Sequence, residues 1–203
     1  MSVANTLCMA IELQLPQPTL SEETLLGLSR DNPGYRFERS ATGKLVASPT
    51  GFFTSGGEGE LFTQVSAWAT QSALGRAFPP TAGLTLPDSS IVSPDTTFVR
   101  YERLESLSDA DCAMAYVRLV PDVIFELASP SDDLRNLETK MYAYIANGVG
   151  VAVLIDPAAR TVTTWRGVER VTSSATSVRI EPQMPGFVLD AAAVIRAMER
   201  HSR

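Results

Sequence analysis

The chain of 203 residues holds one histidine, His201, close to its C-terminus, and two cysteines, Cys8 and Cys112. A histidine at a chain end is not held by surrounding structure, which argues against a Ser-His-Asp triad and against a histidine-ligated metal centre. Two cysteines far apart in sequence make neither a disulfide framework nor a zinc site, so a reducing, intracellular environment is the simplest expectation. Positive charge is scarce as well. The 17 Lys and Arg residues against 23 Asp and Glu give a net charge of −6, which speaks against broad attraction to nucleic acid or anionic lipid and leaves room for a local basic groove. No apolar run reaches the roughly 18 residues of a membrane-spanning helix. The opening "MSVANTLCMAIELQLPQP" lacks the basic start and continuous apolar stretch of a signal peptide, and a cytoplasmic protein is expected. The stretch "TGFFTSGGEG" reads as a glycine-rich loop. It has no GK[ST] ending and no dinucleotide spacing, so it gives little support to nucleotide binding.

What is present fits one soluble domain spanning residues 1–203: 44% of residues are hydrophobic and 20% charged, enough for a single sizeable core. Ser21 followed by Glu22 and Glu23 predicts a helix to about Ser29. Two alternating runs around Ala41-Thr42-Gly43 predict a β-hairpin. Leu61, Val65, Trp68 and Ser72 recur at helical spacing and predict a helix from about Glu58 to Arg76. Short extended pieces follow, among them "LTLPD" and "SSIVSPDTTFVRY". "VIFEL" is an apolar strand, Asp133 to Asn147 a helix with Leu134, Leu137, Met141, Tyr144 and Ile145 as its stripe, and "GVAVLID" another strand. That order predicts a βαβ crossover and hence parallel neighbours. A hairpin turning at 166–169 and a last helix from Asp190 to Arg200 complete the expectation: an α/β (α+β) fold, a central mixed sheet flanked by helices, with an N-terminal helix and β-hairpin.

Three carboxylates stand in places that structure alone does not favour. Glu126 interrupts an apolar strand, on the same side as Asp122, Ile124 and Ala128. Asp95 follows Pro94 in an otherwise strand-like run. Glu58 falls on the inward face of its helix, whereas Glu60 points about 100° away. A buried carboxylate needs a cation, either an arginine such as Arg100, Arg103, Arg118 or Arg135, or a hard metal ion for which carboxylate oxygens are suitable ligands. Asp95 could equally begin a turn, and Glu58 could serve the helix macrodipole. Asp122 reads as a strand-entry turn, and Asp132 and Asp133 as helix caps. Lys140 lies on the flank of its helix, on the side of Asp133 and Tyr144, where it either looks toward the sheet or is a solvated surface lysine that contributes little packing.

The runs "SPDTTFV", "PDVIFELASPSDDL…K…Y…NGV" and "LIDP…V…W", in this order and spacing, resemble the Uma-two family of bacterial restriction-endonuclease-like proteins, over about residues 20–190. The resemblance implies the PD-(D/E)XK nuclease superfamily, with a restriction-endonuclease-like core and acidic residues that bind Mg²⁺ or Mn²⁺ for phosphodiester hydrolysis. Carried over, Asp95 and Glu126 are the metal-binding carboxylates and Glu58 the glutamate before the first core helix. The motif lysine is expected two residues after the glutamate, where this chain has Ala128; the resemblance implies that Lys140 takes its place. The implied substrate is DNA, and cutting both strands is simplest for a homodimer. The rival expectation is a catalytically silent module of the same fold, which the net charge favours.

Overall fold

Residues 11–13, 20–130 and 132–199 are described by a computed structural model; Cys8, Pro16, Pro18, His201 and the expected helix end at Arg200 lie outside the described residues. After strand β1 (Ile11–Leu13), helix α1 (Glu22–Asp31) starts at Ser21, whose side chain accepts a hydrogen bond from Thr24 N. The hairpin of β2 (Tyr35–Arg39) and β3 (Leu45–Pro49) turns at Gly43, whose φ of +81° suits glycine. Helix α2 (Phe52–Ser72) leads into β4 (Gly75–Phe78), β5 (Gly83–Thr85), β6 (Ile91–Val92) and β7 (Thr96–Arg100). Two short helices, α3 (Tyr101–Glu105) and α4 (Asp109–Cys112), precede β8 (Tyr116–Val117) and β9 (Val123–Leu127). Helix α5 (Leu134–Ala146) is capped by Asp133 and closes at Asn147, before Gly148 at φ +93°. Strand β10 (Val151–Asp156), the hairpin β11 (Thr161–Arg166) and β12 (Glu169–Ser174), the ribbon β13 (Ser177–Arg179) and β14 (Val188–Asp190), and α6 (Ala191–Ala197) complete the described chain.

The strands form two six-stranded mixed sheets, of which the second is the expected central sheet with helices on both faces. One runs β1-β3-β2-β6-β5-β8 and the other β12-β11-β10-β9-β7-β4, with β13 and β14 as a separate ribbon. Strands β9 and β10 are parallel and joined through α5, the crossover that the order of patterns predicts. Side chains of β9 alternate as expected. Val123, Phe125 and Leu127 pack with Leu61, Val65 and Ala69 of α2 and with α6, while Ile124 and Ala128 join Met141 and Tyr144 of α5 on the other face. A third cluster holds α1 against the first sheet through Leu25, Phe37, Leu45 and Ile91.

Two expectations are corrected. The glycine-rich run is no loop: α2 begins at Phe52, well before Glu58, and ends at Ser72, so that Arg76 belongs to β4. Its glycines serve close packing. A Cβ on Gly56 would stand 2.6 Å from Ala197 O, and one on Gly57 would stand 2.6 Å from Met198 Cγ and 2.7 Å from Leu127 Cδ2. Tertiary contact with α6 and β9 thus overrides the local preference of glycine for loops. Leu134, placed on the apolar stripe of α5 by its spacing, is 44% exposed because it stands in the first turn, beyond the sheet that Met141 and Tyr144 cover.

This packing separates two substitutions that helix propensity would treat alike. Gly56→Ala should destabilise by about 1–2 kcal/mol, because overpacking against a backbone carbonyl outweighs the gain in propensity. Gly59→Ala, where nothing lies within 4 Å of the added carbon, should stabilise by about 0.5–1 kcal/mol. Chemical denaturation of the two variants beside the parent checks both signs.

Candidate active site

The antiparallel register of β7 on β9 sets Thr96 opposite Phe125, so Asp95, one residue earlier, comes opposite Glu126. Both are buried, at 3% and 4% exposure. Asp95 uses its two oxygens differently: Oδ2 accepts the Leu127 N–H at 2.7 Å, and Oδ1 accepts Arg36 Nη1 at 2.6 Å. Glu126 Oε1 accepts the Tyr144 hydroxyl at 2.6 Å and lies 3.0 Å from Lys140 Nζ. Lys140 and Tyr144, one turn apart on α5, therefore hold the same carboxylate oxygen. The cation that makes Glu126 tolerable inside the sheet is Lys140.

Lys140 is no solvated surface lysine. Its side chain is 23% exposed, and Nζ also donates to Glu38 Oε2 at 2.9 Å and Oε1 at 3.1 Å. Glu38 is fixed in turn by the Ser93 N–H at 2.7 Å. Glu58 meets Arg36 Nη2 at 3.0 Å. Arg36 pairs with Asp95 and Glu58, and Lys140 with Glu126 and Glu38; the two groups adjoin where Asp95 faces Glu126 and act on each other through charge, forming one electrostatic network whose Arg36 and Glu38 come from β2. Sequence reasoning missed both. The available signal was their i, i+2 spacing on a strand whose intervening Phe37 is buried, which puts both charges on one face, but the same pattern describes any hairpin with a solvated side.

Three of the arginines put forward as partners, Arg100, Arg103 and Arg118, lie elsewhere. Arg103 Nε donates to Asp122 Oδ1 at 3.0 Å and Arg100 N to Asp122 Oδ2 at 2.8 Å, at the opposite end of β9 from Leu127. Asp122 is therefore a buried ion-pair partner rather than only a strand-entry turn. Arg118 lies near Glu22 at 3.7 Å. Asp132 accepts from Ser129 N and Oγ, ordering the turn before α5.

The network carries four carboxylates against two cations, and the ionisation of its members shows the imbalance. Burial pushes Glu126 up to about 7, against the pull of Lys140 and with the help of Asp95 and Glu38. Burial and the charge of Asp95 also raise Glu58, despite Arg36. For Glu38 the desolvation cost is outweighed by Lys140 and the Ser93 N–H, and the group stays below its ordinary value. Burial pulls Lys140 down, but Glu126 and Glu38 outweigh it and hold the ammonium above its usual range. The donors are all oxygens, and two excess negative charges match one hard divalent ion, so the residues fit Mg²⁺ or Mn²⁺. Among the described residues no group of three carboxylate, imidazole or thiolate side chains is arranged to hold a metal; Asp95 and Glu126 would supply two ligands, with water or substrate oxygen completing the shell, a common arrangement for Mg²⁺.

Two clefts flank the network. One, of about 570 Å³, is bordered by Arg36, Glu58, Ser93 and Tyr116. The other, of about 470 Å³, is bordered by Glu38, Lys140, Tyr144 and Asp133.

The raised carboxyl of Glu126 has a signed consequence for stability. Its folded value of about 7 lies above the ordinary 4.5, so between these limits the folded state binds more protons than the unfolded chain, and stability falls as pH rises from 4.5 to 7. In chelator, urea unfolding should show the parent losing on the order of a few kcal/mol across this window. Glu126→Gln should lose less, retaining the slope that Glu58 contributes.

Comparison with known proteins bears on what this network serves. No curated protein matches the chain significantly. Among solved structures, a putative nuclease belonging to DUF820 from Anabaena variabilis is 17% identical and superposes with a TM-score of 0.69, covering 80% of this chain and 91% of that one. At such identity the likeness is one of fold. The family Uma2, described as putative restriction endonuclease, matches residues 22–192, a span that runs from the first turn of α1 into α6 and includes every member of the network. The chain belongs to the Uma2 family.

Proposed function

We propose that the protein is a Mg²⁺- or Mn²⁺-dependent endonuclease that hydrolyses phosphodiester bonds of DNA. The observation that carries the reading is the convergence of Asp95, Glu126 and Lys140 from two adjacent strands and the following helix, with Lys140 Nζ 3.0 Å from Glu126 Oε1. Asp95 and Glu126 would hold the ion. Bound there, it supplies Lewis-acid polarisation of a phosphoryl oxygen and an acidified water. Lys140, kept protonated by Glu126 and Glu38, would orient the attacking water or stabilise the negative charge that develops on the phosphoryl oxygens. Glu58 holds Arg36 beside Asp95. Tyr144 fixes Glu126 so that the carboxylate does not swing with the ion.

A second reading, a module of the same fold without catalysis that binds a partner or nucleic acid, has its own support. Both metal-binding candidates already have internal cations in Arg36 and Lys140, and Arg100, Arg103 and Arg118 form no basic rim around them. We further propose a homodimer, the simplest two-fold arrangement for cutting both strands; light scattering at tens of micromolar protein that gives a monomer mass would overturn it.

Purified protein should nick or linearise plasmid, or cut single-stranded DNA, with Mg²⁺ or Mn²⁺ and not with chelator. Asp95→Asn and Glu126→Gln should abolish this. Lys140→Ala should lower it by about 10²–10³-fold. Because the lysine is buried against two carboxylates, the same variant should also lose roughly 3–5 kcal/mol of stability, where a flank lysine would lose almost none. Absence of metal-dependent cleavage, with DNA still bound, would favour the silent module.

A further inference from the structure

Arg36 is the internal cation of Asp95, one of the two proposed metal ligands. Of the two Asp95 oxygens, Oδ2 is committed to the Leu127 N–H, and Oδ1 is taken by Arg36 Nη1 at 2.6 Å. A divalent ion ligated through Oδ1 competes with that nitrogen for the oxygen and would stand beside a guanidinium that stays charged, so charge repulsion favours the departure of Arg36 from Asp95. The same fork has a second anchor, Glu58, through Nη2 at 3.0 Å, so losing Asp95 does not set the side chain loose. It also has somewhere to go. Arg36 borders the 570 Å³ cleft, with its side chain 22% exposed, and is the single Lys or Arg among the described residues lining that cleft. A planar fork with one free edge beside a bound divalent ion matches a phosphate oxygen pair.

We propose that Arg36 is an exchangeable counter-ion that becomes the phosphate-binding group of this cleft. Without metal it neutralises Asp95 and Glu58. When a divalent ion takes Asp95 Oδ1, Arg36 keeps Glu58, turns Nη1 into the cleft and holds the phosphodiester there. The proposal rests on the reading of Asp95 as a metal ligand and adds to it a competitor and a substrate-binding residue.

The test uses the intact protein first. Phenylglyoxal modification of Arg36, located by peptide mass spectrometry, should rise several-fold on adding Mn²⁺ and fall again when an oligonucleotide is added with Ca²⁺ in place of Mn²⁺. Arg36→Met should then bind Mn²⁺ more tightly, by roughly tenfold once a charged hydrogen bond no longer competes, as counted by electron paramagnetic resonance of the free ion. It should bind the oligonucleotide more weakly in Ca²⁺. Arg36→Lys, which keeps a cation for Glu58, serves if the Met variant does not fold, with the same direction expected for both ligands. Arg36 equally shielded with and without Mn²⁺, or variants that bind Mn²⁺ no more tightly than a parent that binds and cleaves, would overturn this inference and leave the nuclease reading standing. A parent and variants that all fail to bind Mn²⁺ would overturn the Asp95 assignment and this inference with it.

Discussion

Lys140 Nζ touches carboxylates from both sheets, Glu126 of β9 and Glu38 of β2, and this contact conditions much of what surrounds it. A charge taken out of water must be matched, and removing one member of a buried pair costs about 3–5 kcal/mol, because the partner is left unsatisfied. Helix α5 can therefore sit only where its ammonium reaches both acids. That requirement fixes the helix against β9 and sets β2 over the same end of the second sheet. Arg36 repeats the arrangement on the other side, joining Asp95 beside β7 to Glu58 of α2. Two cations thus tie α5, β9, β2, α2 and the start of β7 together at a polar junction whose neighbours are three apolar clusters.

The junction is specified more than it is stabilised. Apolar side chains of similar volume would hold β9 and α5 together at least as well, since desolvation of a buried ion pair offsets most of its attraction. The retained charges make sense if the site must accept something charged. Burial first, and the neighbouring carboxylates second, make the network resist its own ionisation, and Glu126 and Glu58 register this in raised proton affinity. A preformed excess of negative charge, held rigid by Tyr144, the Leu127 N–H and the Ser93 N–H, would suit the divalent ion of the proposed function without rearrangement of the backbone. The apolar packing around it keeps that excess from being screened by water.

Close helix packing serves the same end. Gly56 and Gly57 let the N-terminal part of α2 approach α6 and β9, and Glu58 follows directly. A bulkier residue at either position would lift the helix start away from β9 and carry Glu58 from Arg36. The segment that looks loosest in the sequence is therefore part of what places an acidic side chain at the site.

Local pattern alone determined a good deal. The caps Ser21 and Asp133, the turns at Gly43 and Gly167, the two faces of β9 and the crossover through α5 all follow from spacing over a few residues, where the physics is short-range. Glu126 stood out because a charge inside an apolar strand demands a partner, and the helical period brought Lys140 to the side of Tyr144. What the tertiary structure alone decided was which partner. Arg36 and Glu38 lie on a strand that, read by itself, has an ordinary charged face, and nothing within β2 records that this face is covered by a second sheet. The early start of α2 was hidden for the same reason, because close approach to α6 is a contact across most of the chain. The burial of Lys140 also depended on Glu38, far away in sequence. Pairings of this kind are set by which surfaces meet once the sheets have formed, and a one-dimensional pattern holds no term for them.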